Sequence, residues 1–180
     1  IQTAGGDVTL TATNDIELDT VNAGSGTVIV TADSDSSGAG SIDDELTAET
    51  SNITAASTAL RAATGIGSAE DIDTTVSTIS ATNSTSGNIQ IDNGNGTDLT
   101  IGTVDSLAGI TNDGGSILVN NLNGMLTVNQ AVSTAAGTGG SLSLSGSLEI
   151  NATVDAGLFD VTLNGNDNGD DDLVVNAAVT

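Results

Sequence analysis

The segment 114–150 repeats one short pattern four times, and this repetition restricts the fold more than any other feature of the chain. Each unit begins with glycine and continues as a short run in which branched or apolar residues alternate with others. The units are Gly114–Val119, Gly124–Val128, Gly139–Leu144 and Gly146–Ile150. Alternation with a period of two, punctuated by glycine, is typical of β-strands joined by turns. Gly114 and Gly139 are about one solenoid turn apart, so their strands would stack in a parallel β-helix.

Similar strand patterns occur on both sides of this segment. Gly6–Leu10 and Gly26–Val30 lie about twenty residues apart, with a further strand pattern at Ile16–Val21 between them. The pattern returns at Gly87–Ile91, and the runs Asp98–Gly102 and Leu107–Thr111 that follow it complete a rung of three strands. We therefore predict an all-β fold, a parallel β-helix of roughly eight rungs with about 20–28 residues each. Residues 1–180 would form one continuous segment of it.

The region 41–80 has a weaker pattern, because its apolar residues are spaced irregularly. Strands are predicted near Asn52–Ala55 and Ala59–Ala62, with a wider turn at Gly65–Ser68. A helix beginning near Asp43 is disfavoured, since Thr, Ser and Asn outnumber the good helix formers. A helical turn at 70–75 remains an alternative.

Composition favours a narrow interior filled in thin layers. Phe159 is the single aromatic residue, and Trp, Tyr, Pro, Cys and His are absent. Aromatic side chains normally bury roughly 150–250 Å² each, so Val, Ile, Leu and Ala must replace them here. Phe159 itself is predicted to be a core residue.

The charge balance excludes two classes of partner. The chain has 24 acidic residues and one base, Arg61, which gives a formal net charge of -23. Nucleic acids are bound through Lys and Arg, so we expect no nucleic-acid partner. Direct membrane insertion is not expected either, because no apolar stretch approaches the roughly 18 residues that a spanning helix needs.

The same composition argues against catalysis. Acid–base and nucleophilic chemistry relies on residues such as His, Lys, Cys and Tyr, none of which is present. The carboxylates of Asp43, Asp44 and Glu45 fit a solvated turn better than a catalytic pair. We predict that the protein is not an enzyme; carboxylates converging in a groove beside Arg61 would argue for the opposite.

Calcium is the one candidate ligand, although no cofactor is required by the fold. The polar segment 164–172 places oxygen ligands at alternate positions, as a hard cation prefers. The candidate metal residues are Asn164, Asn166, Asn168, Asp170 and Asp172. The segment resembles an EF-hand loop only in its first half, since its first residue is Asn rather than Asp and Val175 stands where the bidentate Glu belongs. Diffuse bridging or screening by divalent cations is the alternative to this site, as is a plain loop.

Two polar patterns predict structure more than chemistry. Sequons occur at Asn52, Asn83, Asn95 and Asn151, and we expect these residues to lie in turns, some of them in amide ladders between rungs. A Thr-x-Thr run occurs at Thr9–Thr13. The strands taken as its equivalents lack the pattern, so no flat threonine face is predicted.

The two ends of the chain read as continuous. Residues 173–180 followed by 1–10 match the segment 126–144 within one residue of spacing. We interpret the chain as one period of a longer array, whose partners are copies of itself joined covalently or stacked end to end. Chance similarity between rungs is the alternative.

The glycine-led strands Gly26–Val30 and Gly87–Ile91, with Leu60–Ser68 and Asp98–Val104, resemble the β-strand repeats of giant secreted bacterial proteins. They are similar to those of filamentous-haemagglutinin-type and autotransporter-type adhesins. This resemblance implies a right-handed parallel β-helix, a location outside the cell or on its surface, and service as a structural fibre or stalk. A calcium-dependent adhesin or matrix-binding module is the alternative.

Overall fold

The computed structural model of the protein describes residues 1–45, 50–94, 96–165 and 173–180 and consists of β-strands joined by turns. No helix occurs among these residues. The strands are β1 (Val8–Thr11), β2 (Ile16–Leu18), β3 (Val21–Asn22), β4 (Thr27–Thr31), β5 (Ile42–Asp44), β6 (Ile53–Thr54), β7 (Ser57–Ala62), β8 (Ile72–Thr75), β9 (Thr78–Asn83), β10 (Ile89–Asn93), β11 (Leu99–Ile101), β12 (Thr103–Val104), β13 (Leu107–Ala108), β14 (Ile110–Asn112), β15 (Ile117–Val128), β16 (Val132–Thr134), β17 (Leu142–Ile150), β18 (Val154–Asp155), β19 (Val161–Gly165) and β20 (Leu173–Val175).

Strands of successive rungs pair in parallel, so the chain winds into a β-solenoid. In the described residues the one antiparallel pair is the small hairpin of β12 and β13. The predicted all-β parallel β-helix is therefore confirmed, with about seven turns.

Three columns of inward-facing residues run along the axis, one residue per rung. The first column is Val8, Val28, Thr58, Ile79, Ile101, Val128, Ile150 and Val175. The second column is Leu10, Val30, Leu60, Ala81, Ile110, Val132, Val154 and Val179. The third column is Ile16, Ile42, Ile66, Ile89, Ile117, Leu142 and Val161.

The columns form the hydrophobic core. Ile42, Ile66 and Ile89 are each 0 % exposed, and the other interior members of the three columns are equally buried. Branched aliphatic side chains suit this position because they pack well on a pleated surface. At about 4.8 Å between neighbouring strands, seven steps of the first column span about 34 Å.

The rungs differ in the number of residues between their first-column and second-column positions. The first and second columns are two residues apart at Val8 and Leu10, nine apart at Ile101 and Ile110, and four apart at Val128 and Val132. The nine-residue step contains the hairpin of β12 and β13. The columns stay in register because the additional residues loop outward.

Two local expectations are wrong. The alternative of a helical turn at 70–75 fails because β8 pairs in parallel with β6 and β10. Phe159 is 38 % exposed and not a core residue, because it lies in the turn Ala156–Phe159, closed by a bond from the Phe159 amide to the Ala156 oxygen. The hydrophobic positions of that rung are supplied by Val154 and Val161 instead.

Asparagine side chains line up along the axis in the predicted amide ladders. Asn83 donates to Asn112 (2.9 Å) and Asn93 to Asn121 (3.1 Å), and all four are buried. A third ladder is exposed: Asn176 donates to Asn151 (2.8 Å), which donates to Asn129 (3.1 Å). These bonds replace backbone pairing at the corners of the rungs, where the chain turns.

Candidate functional site

A hairpin stands on the outer face of the solenoid and is fastened there by the one basic side chain of the protein. Its central residues Asp105 and Ser106 have φ of 47° and 63°, as a type I′ turn requires. Arg61 Nη2 donates to the Asp105 backbone oxygen (2.8 Å) and forms an ion pair with its carboxylate (2.9 Å). The hairpin therefore docks on β7 and β9.

The residues beneath the hairpin show that it covers the sheet. Ala59 and Ser80 occupy outward positions of β7 and β9, yet both are 0 % exposed. Ser80 Oγ donates to the Val104 oxygen (3.4 Å), and Val104 itself is buried. Packing and the ion pair together hold the hairpin flat against two rungs.

A groove lies on each side of the hairpin. The first has a volume of about 420 Å³ and contains the carboxylates of Asp7 and Asp105; its other lining residues are Thr27, Ile29, Ser57, Thr78, Thr103 and Val104. The second has a volume of about 450 Å³ and contains Arg61 and Asp33; its lining is otherwise mainly hydroxyl groups, from Thr31, Ser34, Ser36, Thr82, Ser84 and Thr85.

The charged groups in these grooves are already engaged within the protein. Asp7 accepts the Thr27 amide (2.7 Å), and the Asp105 carboxylate is held by Arg61. Asp33 accepts from Ser37 Oγ (2.8 Å) and from the Gly38 amide. The geometry thus explains how these loops are fixed.

Asp33 is held in its charged form by its own loop. Partial desolvation raises the pKa of Asp33, but the hydrogen bonds from Ser37 Oγ and from the amides of Gly38, Ser37 and Ala39 outweigh it, so the net pKa lies below the ordinary 3.8. This carboxylate therefore orders the turn after β4.

Carboxylates crowd the first two rungs beside the third column. Glu17 stacks in register on Asp43, and Leu18 on Asp44. A hydrogen bond that protonated Glu17 donates to Glu45, and then the charge of Glu45, raise the pKa of Glu17 above 4.5, with smaller contributions from burial and from Asp15 and Asp43. The cluster is a site of like-charge repulsion. Asp43 and Asp44 lie in β5, so the sequence was wrong to place them in a turn.

The predicted calcium residues fall mostly outside the described residues. Asn164 lies in β19, next to its last residue, and is exposed and stacked on Ser145 of β17. Asn166, Asn168, Asp170 and Asp172 are not among the residues described, so this site stays a prediction. Within the described residues, no three Asp or Glu side chains come together in a way that would hold a metal ion.

The sequons do not share one environment. Asn52 is 0 % and Asn83 1 % exposed, so an enzyme could not glycosylate either in the folded protein. Asn151 is exposed within its ladder, and Asn95 lies outside the described residues.

Sequence reasoning missed columns of hydroxyl groups. Thr27 and Ser57 hydroxyls bond across rungs (3.0 Å), as do those of Thr82 and Thr111 (2.9 Å). In the run Thr9–Thr13, Thr11 stacks on Thr31 but Thr9 stacks on Ile29, so the Thr-x-Thr pattern does not continue into the next rung. The hairpin interrupts this surface, so it is not flat.

The last rung of the solenoid is more exposed than the rung beneath it. Leu173 and Val175 are each 47 % exposed in the last rung, whereas Leu148 and Ile150 beneath them are buried. No family model, curated protein or solved structure matches the chain. The architecture therefore rests on the structure itself, and the resemblance to secreted bacterial repeats stays a prediction. No helix in the described part of the chain has the length and apolar character to span a membrane.

Proposed function

We propose that the protein is a structural, non-enzymatic segment of an extracellular or cell-surface fibre or stalk of a bacterial repeat protein, in which the solenoid continues axially. The observation that supports this most is the set of three columns, which are buried through the interior rungs and become exposed in the last rung, at Val175 and Val179. A stack in which each rung covers its neighbour transmits force along one axis and has no natural stopping point.

The surface chemistry supports a mechanical role over a catalytic one. Arg61 is used to hold the hairpin, and the deeper polar groups of the core are the Asn and Thr side chains that bond rung to rung. A net charge of -23 opposes lateral clustering of such rods.

Electron microscopy combined with sedimentation tests this proposal. The purified chain, first examined as monomer in low salt, should form unbranched rods of constant width after transfer to about 0.5 M NaCl, where the Debye length is only a few Å. Compact particles that never elongate, or sheets formed by lateral contact, would argue against a fibre segment.

A further inference from the structure

The last rung exposes the apolar side chains that the rungs below it bury. Val175 and Val179 are 47 % and 37 % exposed, while Ile150 and Val154 beneath them are 0 % exposed. Val161 of the third column is half-buried, in contrast to Leu142 below it. An exposed rung of this kind has both unpaired strand edges and uncovered hydrophobic side chains.

The first rung presents the same columns at the opposite end. Its members are Val8, which is only 7 % exposed, and the half-buried Leu10 and Ile16. The strands that carry them, β1 and β2, pair in the described residues only with β4 and β5. The chain runs in the same direction around the axis in every rung. A first rung placed on a last rung therefore continues the parallel pairing without reversing any strand.

We propose that the last rung binds the first rung of a second copy of the chain, head to tail, with Val175 opposite Val8 and Val179 opposite Leu10. This inference rests on the proposed function and adds to it the partner and the register. The contact joins two different surfaces and does not close on itself, so it generates filaments and not dimers.

The chain already contains a junction of the kind that this contact requires. Val8 and Leu10 are two residues apart, whereas Val175 and Val179 are four apart, so a straight strand must seat on a rung with an outward loop. β9 does this within the protein: Ile79 and Ala81 stack on Ile101 and Ile110, which are nine residues apart. The difference in spacing is therefore no obstacle to the contact.

Disulfide trapping tests the register, because the chain has no cysteine of its own. Val174 points outward in the last rung, in the column that passes through Glu149 and Thr127 and reaches Thr27, which lies opposite Asp7. In the proposed contact Val174 and Asp7 of two copies are neighbours, at the separation of adjacent strands that a disulfide can bridge. Within one copy they are about seven rungs apart and cannot react.

The variant Asp7→Cys/Val174→Cys should form a ladder of disulfide-linked multimers on mild oxidation in about 0.5 M NaCl, where repulsion is screened. The matched control is Asp7→Cys/Thr162→Cys, whose second cysteine is exposed in the same rung but on β19, and it should stay monomeric under denaturing electrophoresis. Circular dichroism of both variants checks that they retain the β fold.

The outcomes separate the two proposals. Rods that form without a ladder, or ladders of equal extent in both variants, would overturn the register while leaving the fibre proposal standing. A folded chain that forms neither rods nor covalent multimers at any salt concentration would overturn both.

Discussion

At the scale of single residues, asparagine side chains at the corners make the hydrogen bonds between rungs that backbone amides make inside a strand. Asn112 accepts from the Asn83 amide and from the Gly114 N–H, and it donates to the oxygens of Gly87 and Ser116. One side chain thus satisfies two rungs at a corner. Such corner positions are buried, so any group left without a partner there is costly.

We expect Asn112→Ala to lower the free energy of unfolding by about 2–3 kcal/mol, because it leaves buried backbone groups unpaired. Asn151→Ala is the matched control: it also breaks a ladder, but an exposed one where water replaces the lost bonds, and it should cost about 0.5–1 kcal/mol. Urea denaturation of both variants measures the difference. Equal losses of unfolding free energy in the two variants would show that burial of a ladder does not determine how much breaking it destabilises the protein.

The carboxylate cluster predicts the pH dependence of stability. Because the pKa of Glu17 is raised in the folded state, protonation favours folding, and stability should rise as pH falls through that raised value. Asp33 has the opposite sign: its stabilising contribution is present above 3.8 and is lost as pH falls through its lowered pKa. Stability should therefore pass through a maximum in mildly acidic solution.

Glu45→Gln tests the origin of the first effect. Removing this charge should return the pKa of Glu17 towards 4.5 and flatten the rise in stability on acidification, as measured by carboxyl NMR titration and by unfolding at several pH values. Glu149→Gln, a change in a distant rung, is the control. The assignment fails if both variants keep the pKa of Glu17 at its raised value.

At the scale of elements, the hairpin of β12 and β13 is a separate unit docked on a finished sheet. Its anchor is partly exposed, with Arg61 and Asp105 side chains 26 % and 47 % accessible. A bridge of this type contributes little to global stability, about 0–1 kcal/mol. Its effect should appear locally, in how often the hairpin lifts from β7 and β9.

Arg61→Ala should increase hydrogen exchange of the amides in 103–109 severalfold, while the midpoint of global unfolding changes little. Thr82→Ala, a change at the next position of the same outward column, should leave that exchange unchanged. Exchange mass spectrometry of the corresponding peptides makes the comparison. Unchanged protection in Arg61→Ala would show that packing of Val104 alone holds the hairpin.

Some glycines lie where two rungs are in close contact, and a side chain at these positions would clash with the neighbouring rung. A Cβ on Gly115 would lie 2.1 Å from the Gly87 oxygen of the rung below, whereas a Cβ on Gly94 would meet nothing within 4 Å. Gly115→Ala should therefore destabilise the protein by about 1–3 kcal/mol or more. Gly94→Ala should be neutral within about 0.5 kcal/mol, and thermal unfolding distinguishes the two.

Strands could be predicted from the sequence where a single alternating run corresponds to a single strand. They could not be predicted where the alternating run and the stacking between rungs disagree. Gly26–Val30 covers all of β4 except its last residue, and Gly87–Ile91 contains the start of β10, because alternation alone identifies an inward face. The run at 107–111 was interpreted as one strand, yet it is divided between the hairpin and β14. A local pattern cannot report that the hairpin of the following rung covers Ser80, since that depends on residues more than twenty positions away.

At the scale of the whole molecule, the same limit applies to the match between the two ends of the chain. Leu126 and Leu173 do lie in one stack, through Leu148. Val8, which the match places opposite Leu142, lies instead in the first column, whereas Leu142 lies in the third. Different rungs use similar side chains, and only the stacking between rungs assigns each residue to a column.

Net charge is the dominant whole-molecule property, and salt should act on it. Raising NaCl from about 0.01 to 1 M shortens the Debye length from about 30 to 3 Å and should raise the unfolding temperature, because like charges in stacked rungs no longer repel. At matched ionic strength CaCl2 should act as NaCl does if the effect is screening. An additional effect of Ca²⁺ that disappears in Asp170→Asn/Asp172→Asn would assign it to the segment 164–172.

The uneven spacing between the first and second columns has a consequence for how such a protein changes over time and how it can be engineered. Two, four and nine residues all connect the same pair of columns. The packing of the interior does not depend on the length of the outward loop between these two columns. The step between Val128 and Val132 should therefore tolerate a grafted peptide as readily as the step after Ile101 tolerates its hairpin. A fold of this kind can acquire new surface features one insertion at a time while its axis remains unaltered.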